Sequence, residues 1–543
     1  MSKKSKKLEI NSEAKVAAQP TTLSDSQVFI VLAITCFLLY ARTLSFGFTY
    51  LDDNVLILDN LTFLQNLGNL SRAFTQEVFH ILHSSASYYR PILTISFMLD
   101  AVVSGSSPFV YHLSNILYHL TASFLVFKLF RKLKHSTDLS FLFSLIFAVH
   151  PVLTQAVAWV PGRNDSLLTI FALAVFITFI NYWEGKSTRS LVWSLLFFAL
   201  ALFTKETALV IPVICALYSW MVAKIGEVKK IGWFLTGWGI IGLVWASLRH
   251  TALGNNPLPL TPLEMVNSVF LNSPALIQFG GKILFPFNLS VLPIMQDTSF
   301  IWGILAVSLF GVLSWRGKSR KMLFFGLVWF LAFLLPSFIR PSASTVADFI
   351  EHRVYLPIIG LFIILAETSW LNSFDFQKKV YLFPSLGILT LFFVLNFSHQ
   401  GNFANRLSFW QNAAATSPHS PLAQRNLGAM YYLDGKIDLA EVYYRKALDL
   451  NPTEQMVHNN LGLIYAARGQ AAVAFEEYQA ELAINPSYDN AHFNLGLLYY
   501  NEGRLADAKT EWEKTLQVNP DYKDAFTALQ FLEASESSNR GLN

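Results

Sequence analysis

The sequence predicts an all-α protein in which a polytopic membrane helix bundle is followed by a C-terminal solenoid of short helical repeats. Of its 543 residues, 53% are hydrophobic and only 14% are charged, whereas about 25% of a soluble domain is charged. Long apolar runs separated by short charged patches fill the chain to about residue 397, and polar residues dominate after that point. The polar part repeats at a fixed spacing, which is typical of stacked helix pairs.

The membrane spans are predicted from apolar length, because a helix needs about 20 mostly apolar residues to cross the hydrocarbon core. About eleven segments are candidates: 28–46, 109–130, 139–157, 167–183, 191–203, 208–222, 231–248, 300–315, 323–339, 354–365 and 380–397. The segment 91–103 is too short to span, and 266–287 is interrupted by polar residues and by Gly280 and Gly281. We therefore predict that these two segments lie along the membrane interface, the second one as an interfacial or re-entrant segment.

The distribution of basic residues orients the bundle, since cytoplasmic loops carry an excess of lysine and arginine. The N-terminal tail, residues 1–26, contains Lys3, Lys4, Lys6 and Lys7, and the first apolar run begins too far along the chain for a typical cleaved signal peptide. We expect a cytoplasmic tail, an uncleaved first span and, after an odd number of spans, a C-terminal domain on the outer face. The bacterial inner membrane with a periplasmic repeat domain is the favoured location, and the endoplasmic reticulum membrane with a lumenal repeat domain is the alternative.

The repeats have the 34-residue period of tetratricopeptide repeats. Asn-Leu-Gly begins at Asn426, Asn460 and Asn494, and Asn-Pro begins at Asn451, Asn485 and Asn519. A glycine and a bulky aromatic residue keep the same phase, as Gly428 with Tyr444, Gly462 with Tyr478, and Gly496 with Trp512. Glycine allows the two helices of a repeat to approach closely, the aromatic side chain fills the groove between them, and the proline stops the second helix.

These signals divide the chain into domains. A membrane domain is predicted at 27–397, with its first outer loop at 47–108, and a linker that contains half a repeat is predicted at 398–420. Three repeats follow at 421–454, 455–488 and 489–522, and a capping helix and tail occupy 523–543.

Composition also excludes some functions. The net charge of +4 gives no case for nucleic-acid binding. The two cysteines, Cys36 and Cys215, lie inside apolar runs, so they are interpreted as small core residues, without a disulfide framework or a zinc site.

Polar residues near the outer ends of the predicted spans form the candidate site. Asp52 and Asp53 are adjacent carboxylates just after the first span. One could act as a general base and the other could bind an acceptor or a metal ion, although a solvated loop pair is the plainer interpretation. The other candidates are Arg90, His112, Asn115, His150, Arg163, Asp165, Lys205, Glu206, Glu351 and Arg353. Charges at membrane depth tend to mark sites, and basic residues suit a phosphate-bearing lipid, but each single charge could instead cap a span at the headgroups.

The order of these motifs resembles the transmembrane and tetratricopeptide-repeat O-mannosyltransferase family of the GT-C glycosyltransferases. The motifs are YLDDN from Tyr50, YRP from Tyr89, HLSNILYH from His112, AVHPVLTQAVAWVPGRND from Ala148, TKET from Thr204 and EHRVYLP from Glu351. The resemblance extends from about Phe46 to the end of the repeats, and the order and spacing of the motifs are more specific than any one of them. Two positions depart from the family: His352 separates its Glu-Arg pair, and Gln155 stands where an acidic residue is frequent, so no chemistry is assigned to Gln155.

The resemblance implies an inverting GT-C mannosyltransferase that moves mannose from a polyprenyl-phosphate carrier to a serine or threonine hydroxyl of an outer-face protein. Asp52 or Asp53 would be the catalytic base, and the donor phosphate would be bound by Arg90, Arg163, Lys205 and Arg353. The supporting residues would be His112, Asn115, His150, Asp165, Glu206 and Glu351. The repeats would hold the acceptor protein, membrane lipid would surround the bundle, and a divalent cation is the one cofactor left open.

Two other functions stay open at this point. The same fold could glycosylate a glycan or a lipid, because nothing in the outer loops distinguishes these acceptors. The chain could also be a non-enzymatic, membrane-anchored scaffold that works through its repeats, in which case mutations of the polar groups between Asp52 and Arg353 would be silent.

Overall fold

The computed structural model describes residues 23–82, 88–185, 187–222, 229–254, 260–315, 317–339 and 347–540, so most of the predicted tail at 1–26 lies outside the described residues. The N-terminal part contains helices α1–α16: Asp25–Tyr40, Leu61–Leu64, Pro91–Ser104, Pro108–Lys132, Thr137–Val149, Thr154–Ala158, Arg163–Gly185, Thr188–Thr204, Ile211–Val222, Lys229–Leu253, Pro262–Asn272, Ala275–Leu284, Ile301–Trp315, Arg320–Leu334, Ile358–Ala366 and Lys379–Gln400. The described residues contain no β-strand, only an isolated antiparallel bridge between Ile294 and Asp348. The predicted all-α class is confirmed.

Local sequence signals explain where several helices begin. The side chain of Ser24 accepts a hydrogen bond from the Gln27 amide and the Gln27 side chain returns one to the Ser24 amide, so a capping box starts α1. Helices α3 and α4 begin with Pro91 and Pro108, a position where proline costs no hydrogen bond because the first amides of a helix have no partner.

The predicted number of membrane spans is not confirmed. Six helical segments of the described chain are long and apolar enough to cross a membrane: Asp25–Ser45, Pro108–Lys132, Val160–Gly185, Ile231–Leu253, Arg320–Phe338 and Lys379–Phe403. Helix α5 and the segment Pro151–Ala158 add a seventh only if this pair, bent by 52°, counts as one span. The predicted count of eleven is not confirmed, because the segments predicted at 191–203, 208–222 and 300–315 fall on helices of fewer than 18 residues.

The segment predicted as a span at 354–365 is enclosed by other parts of the protein. Its only α-helix, α15, has nine residues, and all but one of them are buried inside the protein. A Cβ atom on Gly360 would lie 2.4 Å from the carbonyl oxygen of Gly326 in α14, so the two backbones are in direct contact. Apolar residues buried by neighbouring helices give the same hydropathy signal as residues buried by lipid.

The apolar segment 266–287 forms parts of two helices rather than one. Helix α11 ends at Asn272 and α12 begins at Ala275. A Cβ atom on Gly281 would lie 2.6 Å from the amide nitrogen of Gly303 in α13, so α12 packs closely against that helix. In α11, by contrast, Phe270 is 80% exposed and no residue is buried. Its position along the membrane interface stays a prediction.

One end of the bundle collects the loop after α1, the beginnings of α3, α4 and α7, the end of α8 and the segment 348–353; we call it the polar end. At the other end, the last turn of α4 meets the last turn of α7, where Lys132 Nζ lies 2.6 Å from Glu184 Oε2. Because α4 and α7 each run the length of the bundle, the two ends are clearly separated.

The C-terminal part contains helices α17–α24, which we call the repeat array: Arg406–Thr416, Pro421–Leu433, Ile437–Leu450, Val457–Ala467, Ala471–Ile484, Asp489–Asn501, Leu505–Val518 and Lys523–Arg540. The second helices of the three repeats end at Leu450, Ile484 and Val518, two residues before a proline in each case. A Cβ atom on Gly462 would lie 2.5 Å from the Tyr478 ring, and one on Gly496 would lie equally close to Trp512. The tetratricopeptide fold predicted from the 34-residue period is confirmed.

The repeat array is docked on the polar end through α17. The Gly47 amide donates to the Ala404 carbonyl at 2.8 Å, and the Ser417 hydroxyl donates to the Leu292 carbonyl at 2.7 Å. Trp410 is fully buried in a cluster that also contains Phe46 and Leu292 from the membrane domain. The array and the loop that follows α1 therefore lie on the same side of the bundle.

The close approach at Gly462 makes a stability prediction. Alanine is the better helix former by about 1 kcal/mol, but the added methyl group at Gly462→Ala meets Tyr478, so we expect unfolding of the array to become easier by about 1–3 kcal/mol. Thermal unfolding of the full chain in detergent, followed by circular dichroism, measures this. Gly239→Ala in α10 is the matched control, because nothing lies within 4 Å of the new methyl group; equal or greater stability of Gly462→Ala would contradict the packing argument.

Candidate active site

The first outer loop is organised by the buried carboxylate of Asp53. Its Oδ2 accepts hydrogen bonds from the Thr49 amide at 2.7 Å and the Thr49 hydroxyl at 3.0 Å, and its Oδ1 accepts one from the Tyr50 amide at 2.6 Å. Burial raises the pKa of Asp53 to about 7, and the hydrogen bonds from Thr49 and Tyr50 act in the opposite direction. Asp53 is therefore a group that holds the loop together.

Asp52 has a different environment. It is only partly buried, and its carboxylate accepts no hydrogen bond from any residue that the structure describes. Its φ angle is +68° and that of Tyr50 is +58°, values in the left-handed region that cost about 1–3 kcal/mol each. The pKa of Asp52 is raised to about 6, first by burial and then by the negative charge of Asp348, while the positive charge of Arg90 acts in the opposite direction.

Two partly buried ion pairs lie beside this loop. Arg90 Nη2 lies 2.7 Å from Glu206 Oε1, and Arg90 Nε donates to the other oxygen of the same carboxylate at 3.3 Å. Lys205 Nζ lies 2.8 Å from Asp165 Oδ1. Since Lys205 and Glu206 are neighbours at the end of α8, the two pairs join the beginnings of α3 and α7 at this point.

The segment 348–353 completes the cluster. Arg353 Nη2 lies 2.7 Å from Asp348 Oδ1. His352 Nε2 lies 3.6 Å from Asp165 Oδ2, and the His352 ring is 5.3 Å from the Trp159 ring, centroid to centroid. The pKa of His352 is lowered well below its ordinary value, first by burial and then by Lys205 and Arg353, so the imidazole is neutral at pH 7.

Arg163 is placed elsewhere. Its side chain is fully buried; Nη1 lies 2.5 Å from Asp100 Oδ2, Nε donates to the Asn115 side chain at 2.9 Å, and Nη2 donates to the Tyr111 carbonyl at 2.7 Å. Asn115 donates in turn to the Val157 carbonyl at 3.0 Å. These contacts engage the Arg163 guanidinium inside the protein, with Asp100, Asn115 and the Tyr111 carbonyl as its partners.

The remaining predicted residues also lie apart from Asp52. His112 is buried with its ring edge against Phe46, and buried His150 accepts a hydrogen bond from the Val152 amide through Nδ1. Glu351 is fully buried and pairs with Lys282, with 2.6 Å between Nζ and Oε1. These residues support the polar end from inside.

The structure thus brings Asp52, Arg90, Asp165, Lys205, Glu206 and Arg353 to one place and leaves Arg163, His112, Asn115, His150 and Glu351 in the protein interior. Sequence reasoning missed Trp159, whose Nε1 donates to the Leu51 carbonyl at 2.9 Å, and it missed His352 and Asp348. Trp159 and His352 stand inside the quoted motifs, so an aromatic or imidazole side chain next to the motif charges was the available signal. No group of three or more His, Cys, Asp or Glu side chains in the described part of the chain could hold a metal ion.

Known protein families match both parts of the chain. A family model described as dolichyl-phosphate-mannose-protein mannosyltransferase matches residues 91–248, from the first residue of α3 into α10. Tetratricopeptide-repeat models match residues 421–454, 462–503 and 489–522. The solved first TPR domain of the human RPAP3 protein is 27% identical, covers 23% of this chain and 98% of its own length, and has a TM-score of 0.21.

Curated relatives carry one common description. Protein O-mannosyl-transferase Tmtc1 of Drosophila melanogaster is 33% identical over 33% of this chain and 21% of its own length. Protein O-mannosyl-transferase F38B6.6 of Caenorhabditis elegans is 26% identical over 68% of this chain and 54% of its own length. TMTC3 of Mus musculus is 31% identical over 42% of this chain and 25% of its own length. The matches therefore span between about a fifth and about half of the length of these relatives.

A helical membrane domain with paired charges at one end and a tetratricopeptide array docked beside them define a membrane protein built on a mannosyltransferase-type domain. In these matched parts the chain is similar to the transmembrane and tetratricopeptide-repeat O-mannosyltransferase family.

The burial of Arg163 makes a prediction that separates a structural role from a phosphate-binding role. Arg163→Met leaves Asp100 as an unpaired buried charge, so we expect a loss of about 3–5 kcal/mol of stability, measured by thermal unfolding in detergent. Arg353→Met, at a partly exposed pair, should leave the fold intact. An Arg163→Met protein of normal stability whose only defect is weak binding of a lipid phosphate would contradict the structural role.

Proposed function

We propose that the chain transfers mannose from a polyprenyl-phosphate carrier to a serine or threonine hydroxyl of a protein, at the extracytoplasmic face of the membrane. The observation that carries this proposal is the environment of Asp52, a carboxylate without a hydrogen-bond donor among the described residues, within electrostatic range of Arg90. It has the freedom and the raised pKa that a general base requires. The descriptions of the matched family model and of the curated relatives supply the sugar and the class of acceptor.

In this mechanism Asp52 takes the proton of the acceptor hydroxyl as the hydroxyl oxygen attacks the anomeric carbon. The bond between that carbon and the phosphate oxygen breaks on the opposite face, so configuration inverts and the polyprenyl phosphate leaves with the bonding electron pair. Asp53 is less suited to this role because both of its oxygens accept hydrogen bonds from its own loop. Positioned base catalysis contributes about 10²–10⁴-fold in rate.

Arg90, Lys205 and Arg353 are the groups that we propose to stabilise the departing phosphate, because fixed positive charge is most effective where negative charge develops. Each is held by a carboxylate, namely Glu206, Asp165 and Asp348 in that order. Neutral His352, between Asp165 and Trp159, completes the wall of this site.

We propose that the repeat array presents the acceptor protein. Arg406 at the start of α17 stacks over Tyr50, with 5.4 Å from its guanidinium carbon to the ring centroid, and Tyr50 is two residues from Asp52. A protein bound along the array would therefore reach the base without crossing the bundle, which favours a protein acceptor over a free glycan or lipid. Basic residues at the opposite end, such as Lys132 and Lys134 beside Glu184, support the extracytoplasmic placement of the polar end, because cytoplasmic ends carry more lysine and arginine.

The direct test is transfer by purified full-length protein in lipid vesicles. Radiolabelled polyprenyl-phosphate mannose and serine- or threonine-containing proteins are supplied together, and label on the acceptor is counted. We expect label in alkali-sensitive linkage to serine or threonine. Label on a glycan or lipid alone, or no transfer from any polyprenyl-phosphate sugar, would reject the proposal.

Substitution of the first-loop carboxylates tests the choice of base. Asp52→Asn should reduce kcat by about 10²–10⁴-fold with normal folding, because the base is lost. Asp53→Asn should instead lower stability, because one of its oxygens becomes a donor that faces the Thr49 and Tyr50 amides. Asp59→Asn, in the same loop but exposed, is the matched control and should be active; full activity of Asp52→Asn would remove it as the base.

The pKa of Asp52 predicts a pH dependence. The base must be deprotonated, and the deprotonated fraction falls as the pH drops through a pKa of about 6. We therefore expect kcat/KM to fall about tenfold per pH unit below pH 6 and to level off above it. Rates measured in vesicles from pH 4.5 to 8 give the profile, and a flat profile across that range would contradict the assignment.

A further inference from the structure

Glu351 is fully buried and contacts several separate parts of the chain at once. Its Oε1 accepts hydrogen bonds from Lys282 Nζ at 2.6 Å and from the Ser290 amide at 2.8 Å. Its Oε2 lies 3.5 Å from Nε2 of His399, at the end of the last membrane helix. Lys282 is 2% exposed, so both charged groups of this pair are shielded from solvent.

Gln155 makes a second connection between the same segments. Its side-chain oxygen accepts hydrogen bonds from the Glu351 amide at 3.1 Å and from the His352 amide at 3.4 Å. Its side-chain nitrogen donates to the Val291 carbonyl at 3.1 Å. Gln155 is fully buried, and all of its polar atoms are used to join 351–352 to 291.

The segment 290–292, which both residues bind, is where the repeat array docks. The Ser290 hydroxyl lies 2.6 Å from the Thr416 hydroxyl, and the Val291 amide donates to the Asn412 side chain at 3.2 Å. Thr416 and Asn412 belong to the last turns of α17. Glu351 is the first residue of the segment 351–353, and the next two residues, His352 and Arg353, lie at the candidate active site.

We propose that Glu351, Lys282 and Gln155 are positioning residues that fix Arg353 and His352 relative to the surface on which the repeat array docks. The backbone bridge between Ile294 and Asp348 aligns the preceding residues, and the side chains of Glu351 and Gln155 fix the turn that follows. None of the three touches the reacting atoms in this arrangement. The effect on catalysis rests on the proposed function, but the effect on docking does not.

A role in positioning can be separated from a role in stability because a buried ion pair contributes little net stability. Replacing both partners by apolar groups is frequently neutral or stabilising, whereas removing one partner alone leaves an unpaired buried charge. The informative variants are therefore double substitutions. Lys282→Met with Glu351→Gln keeps an acceptor for the Ser290 amide, and Lys282→Met with Glu351→Leu does not.

The first measurement is mannosyl transfer together with thermal unfolding of the two double variants. We expect similar stability, but a kcat/KM for the leucine variant about 10²-fold below that of the glutamine variant, because small displacements of a binding group are costly in rate. Glu184→Gln, at the opposite end of the bundle, is the control that should behave as wild type. Equal activity of the two double variants, or activity that only follows stability, would overturn the proposal, as would equal and complete loss in both.

The second measurement does not depend on any enzymatic activity. Ser290→Cys with Thr416→Cys places two thiols where the hydroxyl oxygens are 2.6 Å apart, and the rate of disulfide formation reports how firmly the array is docked. We expect slower cross-linking in the leucine background than in the glutamine background. If the wild-type chain transfers no mannose, the proposed function fails and this rate still decides the inference; identical cross-linking rates in both backgrounds would overturn it.

Discussion

The pairing of charges at the polar end is the constraint on which the geometry of the candidate site depends. An unpaired charge in a buried position costs several kcal/mol, so each cation there needs a carboxylate within reach. Arg90, Lys205 and Arg353 each have one, and these pairs connect α3, α7, α8 and the segment 348–353. The pairs fix where positive charge lies before any donor arrives, which is the condition under which fixed charges stabilise a transition state most effectively.

The same constraint gives the two neighbouring aspartates different roles. Asp53 is fully buried and has no cation beside it among the described residues, so three hydrogen bonds from Thr49 and Tyr50 compensate its burial. To make these bonds the chain turns sharply, and Tyr50 and Asp52 adopt positive φ angles. The Thr49 and Tyr50 donors of this loop are bonded to Asp53, and none of them donates to the Asp52 carboxylate. Asp52 and Asp53 have the same side chain, so residue type does not distinguish their roles. The backbone turn around Asp53 gives the two carboxylates different surroundings.

Much of the repeat array could be predicted from the sequence because its contacts are local and periodic. Gly462 and Tyr478 are 16 residues apart in one repeat, and their phase recurs in each repeat. The ion pairs of Arg163 with Asp100 and of Lys282 with Glu351 join residues 63 and 69 positions apart, and no local pattern indicates such partners.

The Gly-Arg-x-Asp motif illustrates the limit of motif reading. Arg163 and Asp165 are two positions apart on one helix, which turns about 100° per residue, so their side chains leave it on nearly opposite sides. Asp165 faces Lys205 and the site, whereas Arg163 faces Asp100 and the interior. Helical geometry predicts that the two charges of the motif have different surroundings, although it does not show which of them lies beside Lys205.

The mode of docking limits how an acceptor could reach Asp52. In a solenoid each repeat contacts only its neighbours, so the rigid connection between the array and the membrane domain is made by α17 and the residues around it. Trp159 binds the loop from the membrane side through the Leu51 carbonyl, and Arg406 covers Tyr50 from the array side. The loop that carries Asp52 is therefore held between the two domains, at Leu51 by Trp159 and at Tyr50 by Arg406. Because Trp159 also packs against His352, the side chain that fixes the loop also borders the charged cluster, so one residue connects the position of Asp52 to that of the cations.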